Sequence, residues 1–100
     1  MITPEAQRVI ELMVKASGQS QEAICGGSRR RPLPTCRWLI ARVLIRQMGY
    51  STGLAGSVLG RDHATMLYGL QHLDTYLEQQ DNPIERHIAR TFQALIDGNG

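Results

Sequence analysis

Hydrogen-bonding side chains are concentrated within the segment Gly60–Leu70. Arg61, Asp62, His63 and Thr65 bring a guanidinium, a carboxylate, an imidazole and a hydroxyl together, and all four groups can bond phosphates or base edges. Asp62 is also a favourable N-cap, because its carboxylate can accept the free N–H groups of a first helical turn. A polar tip on an apolar body is typical of a helix that enters a nucleic-acid groove with its tip. The body is predicted to bury Met66, Leu70, Leu73 and Leu77.

Catalytic and metal-binding patterns do not occur in the sequence. The three histidines and two cysteines show no CxxC or HExxH spacing, and neither GxSxG nor a phosphate-binding P-loop motif is found. We therefore predict no enzymatic activity, no cofactor, no metal and no small-molecule substrate. Cys25 and Cys36 are too few for a disulfide framework and are predicted to be reduced thiols. No apolar run could span a bilayer and the start lacks a signal-peptide pattern, which favours a cytoplasmic protein without membrane contact.

The net charge is only +2, but the charges are unevenly distributed. No acidic residue occurs from Ala23 to Arg61, whereas seven arginines fall there. The planar guanidinium is well suited to bidentate phosphate contacts. A solvated charged face would explain scattered charges, but an acid-free stretch that leads into Gly60–Leu70 favours a nucleic-acid footprint. The arginines are Arg29, Arg30, Arg31, Arg37, Arg42, Arg46 and Arg61.

Capping and helix-breaking residues predict six helices in a single all-α domain, 1–100, with no strand. Thr3 caps the first helix and Gly18 ends it. Ser28–Pro34 is predicted to be a loop, because two prolines and three arginines cannot continue a helix. Gly60 is predicted to end the fourth helix in a left-handed conformation. The other predicted features are a second helix at Gln21–Cys25, a third from about Thr35 to Met48, a fourth capped by Ser51 or Thr52, a fifth from Asp62 to about Gln80, and a sixth begun by Asp81, Asn82 and Pro83.

Apolar residues at helical spacing predict one shared core. Gly56 is expected to allow a close approach, and Trp38 to lie at the edge of the core. The predicted inward residues, besides those of the fifth helix, are Ala6, Val9, Ile10, Met13, Leu39, Ile40, Val43, Leu44, Met48, Leu54, Val58, Leu59, Ile84, Ile88, Phe92, Leu95 and Ile96.

The run Gly-Arg-Asp-His-Ala-Thr-Met-Leu-Tyr resembles the signature of the DNA-binding domain IV of the bacterial replication initiator DnaA, which usually reads GRDHTTVLHA. The basic loop (Ser28–Arg31), an apolar helix near Ala41–Met48 and the short helix with Gly56 follow the family's order. The resemblance covers roughly Pro4 to Ile96. It implies a fold similar to domain IV and the Trp-repressor-like group, with a helix-turn-helix, and sequence-specific binding of double-stranded DNA. The ATPase module of full-length DnaA is not part of this sequence.

The resemblance also implies a set of DNA-binding residues. Residues 61 to 65, the tip segment, would meet the major groove, and the basic loop would hold the backbone or the minor groove. Ala64 replaces the first threonine of the family pair and keeps only a methyl group. Tyr68 replaces a histidine and would reach a phosphate or pack as an aromatic. The implied residues are Arg29, Arg30, Arg31, Arg61, Asp62, His63, Ala64, Thr65 and Tyr68, with Arg37 as the counterpart of an arginine that starts the third helix.

Three uses of such a domain remain open from the sequence. The chain could be the DNA-binding domain of a replication initiator, acting at replication origins. It could be a stand-alone regulator, as in a phage or mobile element. It could also be a helical protein-interaction module that has lost DNA binding, although Arg61-Asp62-His63 argues against this. We expect a monomer near the nucleoid of a bacterial or phage-host cytoplasm. Met1 before a capped helix suggests a complete chain, but an excised domain could begin in the same way.

Overall fold

Helix α3 (Leu33–Arg46) lies at the centre of the fold and packs against each of the other five helices. A computed structural model describes residues 2–79 and 82–98. These residues form six helices and no strand, so the predicted all-α class is confirmed. No helix in these two ranges combines the length and the apolar character that crossing a membrane requires. The other helices are α1 (Pro4–Ser17), α2 (Gln21–Cys25), α4 (Thr52–Leu59), α5 (His63–Glu78) and α6 (Pro83–Ile96).

Local capping determines most of the helix bounds. The side chains of Thr3, Ser20 and Ser51 each accept a hydrogen bond from the backbone N–H three residues later, at 3.2, 3.1 and 3.0 Å. Gly18 and Gly60 end α1 and α4 with φ angles of 73° and 68°, which glycine adopts without a steric penalty. These caps confirm the predictions for α1, α2 and α4.

The bounds of α3 differ from the prediction at both ends. The helix begins at Leu33, before the predicted Thr35, and Pro34 lies in its first turn. Proline fits there because the first N–H groups of a helix have no intrahelical partner. The helix ends at Arg46 rather than at Met48.

The start of α6 differs from the prediction in its capping interaction. Pro83 takes the first helical position, as predicted, but Asn82 makes no side-chain capping bond. Its amide nitrogen donates instead to the carbonyl of Tyr76 at 3.3 Å. The predicted end of the fifth helix, Gln80, and the predicted capping residue Asp81 lie outside the described residues.

Most predicted core residues are buried, and the clear exceptions lie at helix ends. Met48, Leu54 and Ile84 are 41%, 43% and 72% exposed, so their predicted burial is wrong. Met48 follows α3, and the other two lie in the first turns of α4 and α6, where the chain leaves the core. Helical spacing alone cannot predict this exposure, because the apolar pattern extends to helix ends that have no neighbouring helix to pack against.

Gly69 of α5 receives the indole ring of Trp38 from α3. A Cβ at position 69 would lie well inside contact distance of three ring atoms, Nε1, Cδ1 and Cε2. Trp38 is half-buried, at the edge of the core as predicted, and meets Tyr76 edge to face with ring centroids 6.0 Å apart. Glycine inside a helix costs roughly 0.5–1 kcal/mol relative to alanine, so this packing explains its presence.

Replacing Gly69 with alanine should therefore destabilise the protein by about 1–3 kcal/mol, because the indole must move. Gly53→Ala is the matched control, since a Cβ there meets only the Ser51 hydroxyl at 4.0 Å. That control should be neutral or stabilising by up to about 1 kcal/mol. Urea unfolding of both variants measures the difference, and a Gly69→Ala protein as stable as the wild type would contradict the packing of Trp38.

Candidate nucleic-acid interface

The turn between α4 and α5 is fixed by backbone contacts and by the cap of α5. The N–H of Arg61 donates to the carbonyl of Gly56 at 2.8 Å. A Cβ at Gly56 would lie 2.6 Å from the carbonyl oxygen of Arg61, which confirms the predicted close approach. Asp62 caps α5 by accepting a hydrogen bond from the N–H of Thr65 at 2.7 Å. The two helices are thus joined by a tight connection, with the tip segment at its exposed side.

The cap also affects the titration of Asp62. Hydrogen bonds from Thr65 lower the pKa of this carboxyl below its ordinary value. Because the pKa is lower in the folded state, the cap stabilises the protein at neutral pH and this contribution is lost as the pH falls through the folded pKa. Asp62 is therefore a carboxylate at neutral pH, able to accept further hydrogen bonds.

The side chains of the tip segment are available to a ligand. Asp62, His63, Ala64 and Thr65 are exposed, whereas Met66, the next residue, is buried. One turn further along the helix, Tyr68 is 64% exposed and its ring lies 4.4 Å from that of His72. Tyr68 is therefore a surface residue rather than a core aromatic. The predicted polar tip and apolar body are both present.

Arg61 connects the tip segment to the start of the basic loop. Its guanidinium donates to the carbonyl of Gly26 at 2.5 Å and to that of Gly60 at 3.1 Å. The residue is half-buried, so part of its hydrogen-bonding capacity is used inside the protein. A guanidinium has five N–H donors, and two bonds leave others for a ligand.

Arg37 lies inside the fold. The residue is 2% exposed, and its guanidinium donates to the carbonyls of Ile24, Ala23 and Gly26 at 2.6, 3.1 and 3.0 Å. These carbonyls lie at the C-terminal end of α2, where a helix runs out of N–H donors, and that of Ala23 also accepts from the N–H of Gly26 at 3.3 Å. Burial, together with the charge of Arg61, lowers the pKa of Arg37. Arg37 borders the groove described below, but its guanidinium is occupied by these three carbonyls, so we leave its expected DNA contact out of the proposed interface.

The three arginines of the basic loop differ in their surroundings. Arg31 forms an ion pair with Glu85 of α6, although its side chain remains 59% exposed. Arg29 and Arg30 are exposed and form no ion pair with any described residue. Nothing local in the sequence distinguishes the three arginines, so the sequence predicts the same role for all of them.

A groove of about 500 Å³ lies between the basic loop and the start of α5. Arg29 borders it on one side, and Arg61, Asp62 and Thr65 border it on the other, with Trp38 also in its wall. The structure therefore brings the two predicted binding segments together around one depression. Arg42 and Arg46 border a smaller depression next to Gln93 of α6, and Arg42 pairs with Asp74 at 2.6 Å.

The cysteines and histidines form no reactive cluster in the ranges 2–79 and 82–98. No group of three or more potential metal ligands occurs there. Both cysteines are free, as predicted. Burial raises the pKa of the Cys25 thiol, and it raises the pKa of the Cys36 thiol to about 11. Both thiols are therefore protonated at neutral pH, in which form they are poor nucleophiles and poor metal ligands.

Glu85 is the residue at this site that the sequence analysis did not identify. It is only 4% exposed and receives hydrogen bonds from Arg31 and Thr35. A signal was present, since Glu85 lies three residues before Ile88 and seven before Phe92, on the buried stripe of α6. A carboxylate on a buried stripe requires a cationic or hydrogen-bonding partner.

Comparison with known proteins identifies no relative: no protein-family model, no curated protein and no solved structure matches the chain. Its function must therefore be inferred from its own residues and from the resemblance of Gly60–Leu70.

Replacing Arg37 with methionine should destabilise the protein by about 2 kcal/mol, because the carbonyl of Ile24 loses its buried charged donor and those of Ala23 and Gly26 each lose one of their donors. Arg29→Met, at an exposed position, should change stability by no more than about 0.5 kcal/mol. Chemical unfolding without DNA measures both effects. A stable Arg37→Met protein with weakened DNA binding would instead assign Arg37 to the DNA interface.

Proposed function

We propose that the chain binds double-stranded DNA sequence-specifically, with the tip segment in the major groove and the basic loop on the adjacent backbone or minor groove. The observation that carries this proposal is the common groove bordered by Arg29 of the basic loop and by Arg61, Asp62 and Thr65 of the tip segment. Exposed donors and acceptors on one side and an unpaired guanidinium on the other match the two requirements of such binding, base contacts for specificity and phosphate contacts for position.

The tip segment has the chemistry for reading bases. One oxygen of Asp62 caps α5, and the other can accept a hydrogen bond from a cytosine amino group. His63 and Thr65 can exchange hydrogen bonds with base edges, and the methyl group of Ala64 can contact that of a thymine. Tyr68, exposed one turn further on, can reach a phosphate. The major groove is about 12 Å wide and admits an α-helix.

The basic loop supplies the positioning charge. Arg29 and Arg30 are exposed, and arginine is favoured both at phosphates and in a narrow minor groove, where the negative potential is strongest. Arg61 can add a phosphate contact with the donors that its two carbonyl bonds leave free. The contacts are thus divided between a reading helix and a positioning loop.

The resemblance to DnaA domain IV suggests the type of site. A DnaA-box-like sequence at a replication origin is the target that fits Arg61-Asp62-His63, with initiation of replication or its control as the biological use. Ala64 and Tyr68 depart from the family pattern at exposed positions, which favours a related but altered site. Such a site would suit a stand-alone regulator as well as an initiator.

Binding-site selection from a random duplex library tests the proposal directly. We expect enrichment of one short motif related to the DnaA box. Recovery of no motif, at a salt concentration where the protein retains duplex, would exclude sequence-specific binding.

DNA affinity should depend strongly on salt. If Arg29, Arg30, Arg61 and neighbouring donors neutralise about three to four phosphates, log affinity should fall against log salt with a slope between about −2.5 and −4. Fluorescence anisotropy with the selected duplex measures the slope. Arg90→Ala, on the exposed side of α6, is the control and should leave the slope unchanged. A slope near zero for the wild type would contradict a phosphate-binding surface.

Replacing His63 with alanine should reduce discrimination between the selected duplex and its single-base variants by about 1–3 kcal/mol at one position, because a base contact is lost. His87→Ala is the matched control, an exposed histidine on α6 and outside the tip segment. If the His63 variant ranked all duplexes as the wild type does, His63 would not contact a base.

A further inference from the structure

The carboxylate of Glu85 joins the basic loop to three helices. It lies in the first turn of α6, and its Oε1 accepts from the hydroxyl of Thr35 on α3. Its Oε2 accepts from Arg31, with the Nε donor at 2.8 Å. The hydroxyl of Tyr76 on α5 lies 3.4 Å from both oxygens. Burying a carboxylate is costly unless it is paired and hydrogen-bonded, and these contacts satisfy both conditions.

The guanidinium of Arg31 is held in position by contacts with both Glu85 and Tyr76. Two nitrogens of its guanidinium, Nε and Nη2, donate to the same oxygen, Oε2 of Glu85, and the guanidinium carbon lies 5.8 Å from the centre of the Tyr76 ring. Two charge-assisted hydrogen bonds from adjacent nitrogens limit the freedom of a guanidinium more than one bond does. Arg31 is therefore held from two sides while its remaining surface faces solvent.

The chain is also held at Gly26, two residues before the basic loop. The carbonyl of Gly26 accepts from both Arg37 and Arg61. Between Gly26 and Arg31 the chain has few residues, and neighbouring Cα atoms are about 3.8 Å apart. The positions from which Arg29 and Arg30 leave the backbone are thus restricted by an anchor on either side.

We propose that Glu85 is a positioning residue for DNA binding by the basic loop. It makes Arg31 an anchor rather than a phosphate contact, and it directs Arg29 and Arg30 toward the DNA. The proposal rests on the DNA-binding function proposed above. It assigns different tasks to three adjacent arginines and gives a DNA-binding task to an acidic residue that need not touch DNA.

The effect of Glu85→Gln on affinity distinguishes positioning from simple electrostatics. The substitution removes a negative charge and releases Arg31, so electrostatics alone predicts tighter DNA binding. Loss of the anchor predicts weaker binding, by roughly three- to tenfold, as for groups coupled in one hydrogen-bond network. Unchanged or tighter binding by Glu85→Gln, measured on folded protein with the selected duplex, would overturn the proposal.

The salt dependence separates an anchor from a phosphate contact. Arg30→Ala should make the slope of log affinity against log salt shallower by about 0.9, the value for one lost phosphate contact. Arg31→Ala should weaken binding and leave the slope unchanged. A slope change in Arg31→Ala equal to that in Arg30→Ala would show that Arg31 binds phosphate and would overturn its role as an anchor.

Ile88→Val controls for a general loss of stability. Ile88 is buried on α6 one turn from Glu85, and its side chain is apolar, so the variant weakens the packing of the helix without removing the ion pair. It should bind DNA as the wild type does. If Ile88→Val lost as much affinity as Glu85→Gln, the effect would be one of α6 stability and the positioning role would be wrong.

Limited trypsin digestion tests the anchor without DNA. The bonds that follow Arg29 and Arg30 should be cut several times faster in Glu85→Gln than in the wild type or in Ile88→Val, because the loop is released. Equal rates would overturn the anchor. If the wild type bound no duplex, the proposed function would fail and the proposed positioning role with it, whatever the digestion showed. If the wild type bound DNA and Glu85→Gln bound equally well, only the positioning role would fail.

Discussion

The carbonyl oxygen of Gly26 is the acceptor on which the arrangement of the site depends. It receives hydrogen bonds from Arg37 of α3 and from Arg61 at the start of the tip segment. Helix α2 has only five residues, too few for a stable isolated helix, so its final carbonyls need donors from elsewhere. Arg37 supplies them from the central helix. These two hydrogen bonds therefore cap the end of α2 and hold the chain in place two residues before the basic loop. They also bring this point close to the tip of α5.

Features that depend on neighbouring residues could be predicted from the sequence. Asp62 caps α5 through the N–H of Thr65, and Gly60 ends α4 with a positive φ, because each conformation is decided within a few residues. The polar tip and the apolar body of α5 follow from the same local pattern. Six helices and their order could be predicted for this reason, and errors were confined to helix ends, as at Ile84.

The arginines could not be assigned in this way, since their partners are distant in sequence. Arg31 pairs with a carboxylate 54 residues away, and Arg42 pairs with one 32 residues away. The stretch from Ala23 to Arg61 has no acid of its own, yet α5 and α6 bring acids to it. Arg37 donates to backbone carbonyls, and these uncharged partners cannot be recognised from the charges in the sequence. The free positive surface is thus smaller than the sequence suggests, and it is concentrated at fewer residues.

The packing of Trp38 against Gly69 affects how α5 is rotated about its own axis. Successive side chains of an α-helix are about 100° apart, so a rotation by one residue would turn a different set of side chains outward. Gly69 is the one glycine of α5, and the contact of its backbone with the indole ring favours a single angle. The bulky ring of Trp38, on a neighbouring helix, thus helps to decide which side chains α5 presents to solvent. A substitution that displaced the ring would therefore alter the set of side chains that α5 exposes, even if α5 remained helical.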